Sequence, residues 1–261
     1  MCSTKSKERR QGSVEVRILK FLISSLGRSK TIGNVLDIIG KNDTYVYVHK
    51  KEVDEYAKYM DKKMIRPVPD SLRGIVFVRK FMYEDTKNED YTLQLDDDFS
   101  GIIYRHEKDE FETITDPDHI KQVVDNGYQV AYDLQTPIFF FSGQTNPTLY
   151  NLHTHVKFSG SAPSHMGIIP EFMGSINYDT RFRVMEDQDI SLQAKYHKRY
   201  VFVDERYNFR FHTPYFQEGG CSTNRNSTVL QECGELLLKK WGASCIKYNP
   251  NKIQVQVHFP F

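Results

Sequence analysis

The chain has 261 residues, 39% of them hydrophobic and 13% aromatic, enough apolar material for a large α/β core. Its 35 lysines and arginines nearly balance 34 aspartates and glutamates, so no global field draws it to nucleic acid or membrane, and any site for a polyanion must be local. No apolar run reaches the length of a membrane span and MCSTKSKERRQGS lacks the apolar centre of a secretory signal; with no metal-ligand spacing among Cys2, Cys221, Cys233 and Cys245, these features predict a cytoplasmic protein with reduced thiols.

A flexible start over 1–15 gives way to VRILKFLI (16–23), a mostly apolar strand, followed by the loop SSLGRSKT and a short helix, IGNVLDII. TYVYVH (44–49) alternates like a second strand, and KKEVDEYAKYMDKK follows with Val53, Tyr56, Ala57 and Met60 on one helical face. The turn-rich RPVPDSLRG precedes IVFVRKFMYED, and the strand YTLQL then runs into Asp96, Asp97 and Asp98. Alternating β and α units predict an α/β fold with a mostly parallel sheet and covered faces. Ligands of such sheets collect beyond the carboxyl ends of the strands, where strand order reverses, and the aspartates stand at such an end.

In the second half DPDHIKQVVDNGY reads as a helix and TPIFFFSG as a buried strand. Residues 145–175, rich in Gly, Ser, Pro and His, read as a long loop, and a loop of that length in a compact domain points to function. MEDQDISLQAKYH reads as a helix and YVFVDE as a strand, after which an acidic and aromatic stretch closes on FRFHTPYF. Thr228 and Gln231 fit a capping box opening STVLQECGELLLKKWG, a helix ended by Gly242. IQVQVHF alternates strictly and predicts a half-buried closing strand. With no internal repeat or linker, residues 16–261 read as one domain.

Three like charges at a strand end either face water as an acidic turn or lose solvation and call for something positive nearby. In extended backbone Asp96 and Asp98 point one way and Asp97 the other. Hard oxygen ligands there suit Mg2+ or Mn2+, which take one or two carboxylates and complete their shells with water and phosphate oxygens, a pattern that suggests a nucleoside diphosphate site. Glu186, Asp187 and Asp189 open a predicted helix, where acidic residues also serve as simple dipole partners. His212, just beyond FRF, reads either as a ligand or as a satisfied polar residue.

The order of these features (SxGR after the first strand, DxD at a later strand end, ED-x-D at a helix start, a downstream His, GG-x(4)-R before the last helix) resembles glycosyltransferases of the GT-A fold. More narrowly, FLISSLGRSKT, the helix with Glu52 and Tyr56, PVPDSLRGIVFVRK, LQLDDDF, MEDQDISLQ and GGCSTNR resemble the TET-associated glycosyltransferase family, found in phages and linked to hypermodified DNA bases. The resemblance spans roughly residues 16 to 242, with DDD and MEDQD as its most specific parts. It implies a GT-A-like α/β fold, with a Rossmann-type mixed sheet, mostly parallel, and helices on both faces, and transfer of a sugar from a nucleotide sugar, a UDP-sugar, to the hydroxyl of a 5-hydroxymethyl pyrimidine, foremost 5-hydroxymethylcytosine, in phage DNA within the host cytoplasm.

The same resemblance implies that Asp98 binds Mn2+ or Mg2+ directly, Asp96 holds the ribose or a metal-bound water, and His212 adds a later metal contact. Ser24, Arg28, Arg79 and Asp97 would face the donor; the arginine forks match phosphate oxygens, and they match the aspartates equally well. Asp187 would be the general base of an inverting reaction, with Glu186 and Asp189 raising its pKa or holding acceptor hydroxyls; in a retaining reaction the same carboxylates position the acceptor. Lys195, Lys198 and Arg199 of KYHKRY, with Gly220 and Arg225, would contact DNA, although KYHKRY alone reads as well as a solvated helix end with core tyrosines. Rival readings are a GT-A enzyme acting on a protein, lipid or small molecule, a metal-dependent nuclease or phosphatase, and a noncatalytic binding module.

Overall fold

The structure is a computed structural model that describes residues 18–107, 110–143, 153–163, 165–211, 226–250, 254–258 and 260. The expected flexible start lies outside them, as do His212, Gly220 and Arg225.

The first unit is β1 (Leu19–Ser24), α1 (Ile32–Ile39) and β2 (Thr44–His49). Alternation along β1 decides which layer each side chain joins: Leu19, Phe21 and Ile23 pack with Ile32, Val35, Leu36 and Ile39 of α1, while Leu22 packs on the opposite face. Lys50–Glu52 form one 3-10 turn, α2 is only Val53–Tyr56, and a second 3-10 turn spans Lys62–Met64. The single helix expected over 50–63 is therefore interrupted. Asp61 favours this break, because its carboxylate accepts from the Lys63 N–H at 2.9 Å and caps the second turn. Tyr56 is buried, with Val53, Ala57 and Met60 packed against the same core, as their spacing predicts.

RPVPDSLRG is not all turn. Ile65–Val68 forms β3, which tolerates Pro67 because it is an edge strand paired with β2 on one side. Next come α3 (Ile75–Thr86), β4 (Tyr91–Asp96), β5 (Phe99–Arg105) and β6 (Phe111–Ile114). In α4 (Pro117–Asp133) Pro117 sits in the first turn, and the Asp116 side chain caps the His119 N–H at 2.8 Å. Then β7 (Ile138–Ser142) sends Phe139 and Phe141 to the α1 and α4 side and Ile138 and Phe140 to the other.

The expected long loop at 145–175 contains β8 (Val156–Lys157), β9 (His165–Ile168) and α5 (Pro170–Met173). Its polar composition hides β9, which runs antiparallel between β4 and β7. Gly167 makes that position possible, since a Cβ there would lie 2.2 Å from Cε1 of the buried Phe139 ring. Gly167→Ala is expected to lower stability by about 1–3 kcal/mol, the usual range for overpacking, read as a lower urea midpoint; an unchanged midpoint would show that the ring has room to move.

The chain continues through α6 (Glu186–Lys198), β10 (Phe202–Phe211), α7 (Ser227–Trp241), β11 (Ile246–Asn249) and β12 (Gln254–Val257). Asn226, not Thr228, caps α7: its side chain accepts from the Val229 N–H at 2.9 Å, which displaces the expected capping box, while Gly242 ends the helix at φ 79° as expected. The alternating segment near the end does form β12, but it pairs with β11 in a separate hairpin packed on α7. Cys233 and Cys245 are buried free thiols.

The main sheet has the order β3-β2-β1-β4-β9-β7-β10-β5-β6, with β8 also on β10. From the pairings, β1, β2, β3, β4, β6, β7 and β10 run one way, and β5, β8 and β9 run against them. The expected mixed, mostly parallel sheet with helices on both faces is thus the observed one: α1, α2 and α4 cover one face, α3 and α6 the other. Among the described residues, no helix is long and apolar enough to cross a membrane.

Candidate active site at the carboxyl end of β4

Strand order reverses between β1 and β4, since β2 and β3 lie on one side of β1 and β4 lies on the other. The register pairs Ser24 with Asp96, so the residues that follow each strand emerge side by side at the switch point. Ser25 Oγ donates to Asp97 Oδ2 at 2.6 Å and lies 2.6 Å from the Tyr56 hydroxyl, which in turn accepts from the Arg28 N–H at 3.0 Å. With the Ser25 proton committed to Asp97, Tyr56 donates to Ser25, and the bonds run in one direction from Arg28 to Asp97. Burial pushes the Tyr56 phenol up to about 12, so it keeps its proton. Arg28 Nη1 reaches Asp97 Oδ1 at 2.5 Å and lies 3.7 Å from Asp98 Oδ2. Glu52 accepts from the Gly27 N–H at 3.4 Å, which ties the segment before α2 to the same loop.

Asp96 turns to the other face, where Arg79 Nη2 donates to its Oδ1 at 3.1 Å. Through Nη1 the same guanidinium reaches Glu186 Oε1, 3.0 Å away and 107 residues along the chain. Arg79 is buried, and its carbonyl accepts from Gln94 Nε2, whose Oε1 accepts from the buried Tyr178 hydroxyl at 2.7 Å. Thus α3, β4 and α6 meet at one side chain. Burial works against the charge of Arg79, but Asp96 and Glu186 outweigh it and hold the guanidinium protonated.

Both arginines therefore pair with aspartates, one of the alternatives their chemistry allows. The alternation expected along DDD holds for Asp96 and Asp97, which pair with different cations, but not for Asp98, whose Oδ2 faces Arg28 on the Asp97 side because the strand ends at Asp96. Asp98 follows in the turn before β5, and burial, helped by the charges of Asp96 and Asp97, pushes its carboxyl up to about 6. Burial likewise pushes Glu186 up to about 7, with Arg79 opposing and Asp187 and Asp96 adding to the rise.

Asp187 is half-buried in the first turn of α6, and its Oδ1 accepts from the Gln188 N–H at 2.9 Å. Asp189 points elsewhere: it is buried against α7, where its oxygens accept from Trp241 Nε1 at 2.9 Å, Lys240 Nζ at 2.8 Å and Gln193 Nε2 at 2.7 Å. That set of partners makes it an anchor for the end of α7. Lys240 also reaches Asp179, 2.9 Å away, so one ammonium joins two carboxylates.

KYHKRY lies at the far end of α6, its lysines Lys195 and Lys198 about 12 to 17 Å along the axis from Asp187 at 1.5 Å per residue. Lys195 is buried with its ammonium on the Phe158 carbonyl at 2.8 Å, which corrects the expectation that it offers a solvent-facing contact to phosphate. Lys198 lies over the Phe172 ring and Arg199 is exposed.

Of the expected site residues, the structure gathers Arg28, Arg79, Asp96, Asp97, Asp98, Glu186 and Asp187. Ser24, expected to face the donor, ends β1, and the side chain that holds Asp97 is Ser25, the serine of SxGR itself. Gln94, Tyr178, Lys240 and Trp241 carry no local signal in the sequence, because their positions depend on long-range packing.

The donor set can be tested for a divalent ion. Around Arg28 and Arg79 stand the carboxylates of Asp96, Asp97, Asp98, Glu186 and Asp187, an excess of negative charge that a cation would relieve. Among the described residues no group of three or more ligating side chains is assembled to hold a metal. Asp98 with Asp96 nevertheless fits an ion of the Mg2+ type, which needs only one or two carboxylates when phosphate oxygens and water complete its shell.

Searches against protein-family models and against curated proteins return no match. Among solved structures the chain is similar to S. aureus TarS 1-349 in complex with UDP, with 11% identity, TM-score 0.49 and coverage of 84% of this chain and 65% of that one. It therefore spans less than two thirds of that TarS fragment. It is also similar to a mannose-1-phosphate geranyltransferase from Thermus thermophilus, with 10% identity, TM-score 0.43 and 74% and 75% of the two chains covered. A third similarity is to a cytidylyltransferase from Leptospira borgpetersenii, with 9% identity, TM-score 0.44 and 87% and 88% covered.

Proposed function

We propose that the protein is a nucleotide-sugar-dependent glycosyltransferase of GT-A type, formed by residues 16–261 as one domain. The observation that carries this reading is the meeting, through Arg79, of the DDD turn at the carboxyl end of β4 with the acidic first turn of α6. Asp98 and Asp96 would hold Mn2+ or Mg2+, and the chemistry a bound ion supplies there is neutralisation of the diphosphate leaving group. Arg28 braces Asp97 and Asp98 on one side of the turn, and Arg79 braces Asp96 on the other. Asp187 takes the proton of the acceptor hydroxyl as its oxygen bonds to C1 of the sugar and the bond from C1 to the diphosphate oxygen breaks. Glu186 and Arg79 fix the turn from which Asp187 projects.

The acceptor that the family resemblance supplies is a 5-hydroxymethyl pyrimidine in DNA, with 5-hydroxymethylcytosine first. The burial of Lys195 and the distance of KYHKRY from the carboxylates favour a second reading, in which the acceptor is a small molecule, protein or lipid hydroxyl that needs no long phosphate-binding face. One assay separates them. Duplex DNA with and without hydroxymethylated bases, incubated with a panel of nucleotide sugars and Mn2+, is expected to gain one sugar mass per modified nucleoside after digestion, and EDTA is expected to abolish the gain. Transfer to a free hydroxyl compound but to no DNA would select the second reading; full transfer in chelator would remove the metal.

A further inference from the structure

Arg79 is one guanidinium shared by two carboxylates of unequal exposure. Asp96 keeps 34% of its side-chain surface, whereas Glu186 keeps 6%. A planar fork with one nitrogen on each partner fixes their relative position in a way a single ammonium does not. Resting on the reading above, we propose that Arg79 is a positioning residue that relays occupation of the β4 turn to the base-bearing helix. A divalent cation taking Asp96 competes with Arg79 for that carboxylate and leaves the guanidinium to Glu186, drawing in the first turn of α6 where Asp187 stands. Competition follows from charge: Asp96 is the partner open to solvent, so an incoming cation reaches it without unburying anything, while Arg79 keeps its bond to Glu186, where less water screens the pair. Because linkage is reciprocal, whatever holds Arg79 on Glu186 also favours the cation at the turn.

The molecule carries its own reporter. Trp241 is the sole tryptophan, and its indole N–H bonds to Asp189, three residues beyond Glu186 in the first turn of α6. Mg2+ binding is followed by calorimetry, and Trp241 emission is recorded over the same titration without any donor or acceptor. The parent protein is expected to shift its emission with the midpoint of binding. Arg79→Gln removes the competing cation, so it should bind Mg2+ at least as tightly as the parent while its emission no longer responds. Glu186→Gln cuts the other arm and leaves a neutral side chain in the buried position, so it serves where Arg79→Gln does not fold; it should bind Mg2+ with the emission response lost. Binding in the parent without an emission change, or an undiminished response in the folded variants, overturns the relay and leaves the glycosyltransferase reading intact. Absence of Mg2+ binding in the parent, both in the ion-only titration and in a repeat with UDP present to supply phosphate oxygens, overturns the relay together with the metal assignment.

Discussion

Asp187→Asn is expected to lower turnover by about 10²–10⁴-fold, the span that general-base catalysis commonly contributes, while leaving donor affinity near that of the parent. The substitution is mild in structural terms. Asparagine keeps an oxygen to accept the Gln188 N–H, so the first turn of α6 retains its local bond, and what is lost is the negative charge and the capacity to take a proton. Single-turnover rates with donor in excess, set beside calorimetric donor affinity, separate the two effects. Donor affinity lost with an unchanged rate per bound donor would move Asp187 from base to binding residue.

The largest loss of stability is expected from Lys240→Met. Asp189 is 1% exposed, and removing the ammonium leaves its charge buried with only uncharged donors from Trp241 and Gln193. Breaking a buried pair from one side costs about 3–5 kcal/mol. The neighbouring Lys239 is exposed, and Lys239→Met should fall within about 0.5 kcal/mol of the parent, as surface substitutions usually do. Urea unfolding of both variants checks the contrast, and equal midpoints would show that Lys240 is a surface charge like its neighbour.

The legible parts of the fold are those whose signal is local. The helix at 32–39 and the strand at 44–49 appear at the expected residues because each shows its period within a few positions. The strand at 165–168 is hidden because what makes HMGI a strand is not its own composition but the space between β4 and β7, and the fit of Gly167 under Phe139. Asn226 and Thr228 are both good capping residues two positions apart, and the helix takes the earlier one, which leaves Thr228 inside its first turn. The same division runs through the site. Clustered acids at a strand end and a helix start are visible in the sequence, whereas Asp189 and Asp187 look alike until α7 supplies Lys240 and Trp241 to one of them. Lys195 likewise reads as a surface lysine until the Phe158 carbonyl is seen beside it.

Three identical letters, DDD, become three different groups in the fold. Asp96 pairs with Arg79 of α3 and keeps 34% of its side-chain surface, Asp97 is sealed beneath Arg28 and Ser25 at 6%, and Asp98 stands at the bend at 12%. Asparagine in the first would loosen the tie through Arg79 to α6; in the second it would strip the SxGR loop of its nearer counter-charge; in the third it would leave both of those ties in place, remove the more distant charge facing Arg28 and, on the proposed function, weaken the grip on the ion. The positions are not interchangeable, so chains that differ by sliding a single neutral residue along this triplet differ in kind, and counting acidic residues in the motif says little about which of these ties a given chain keeps.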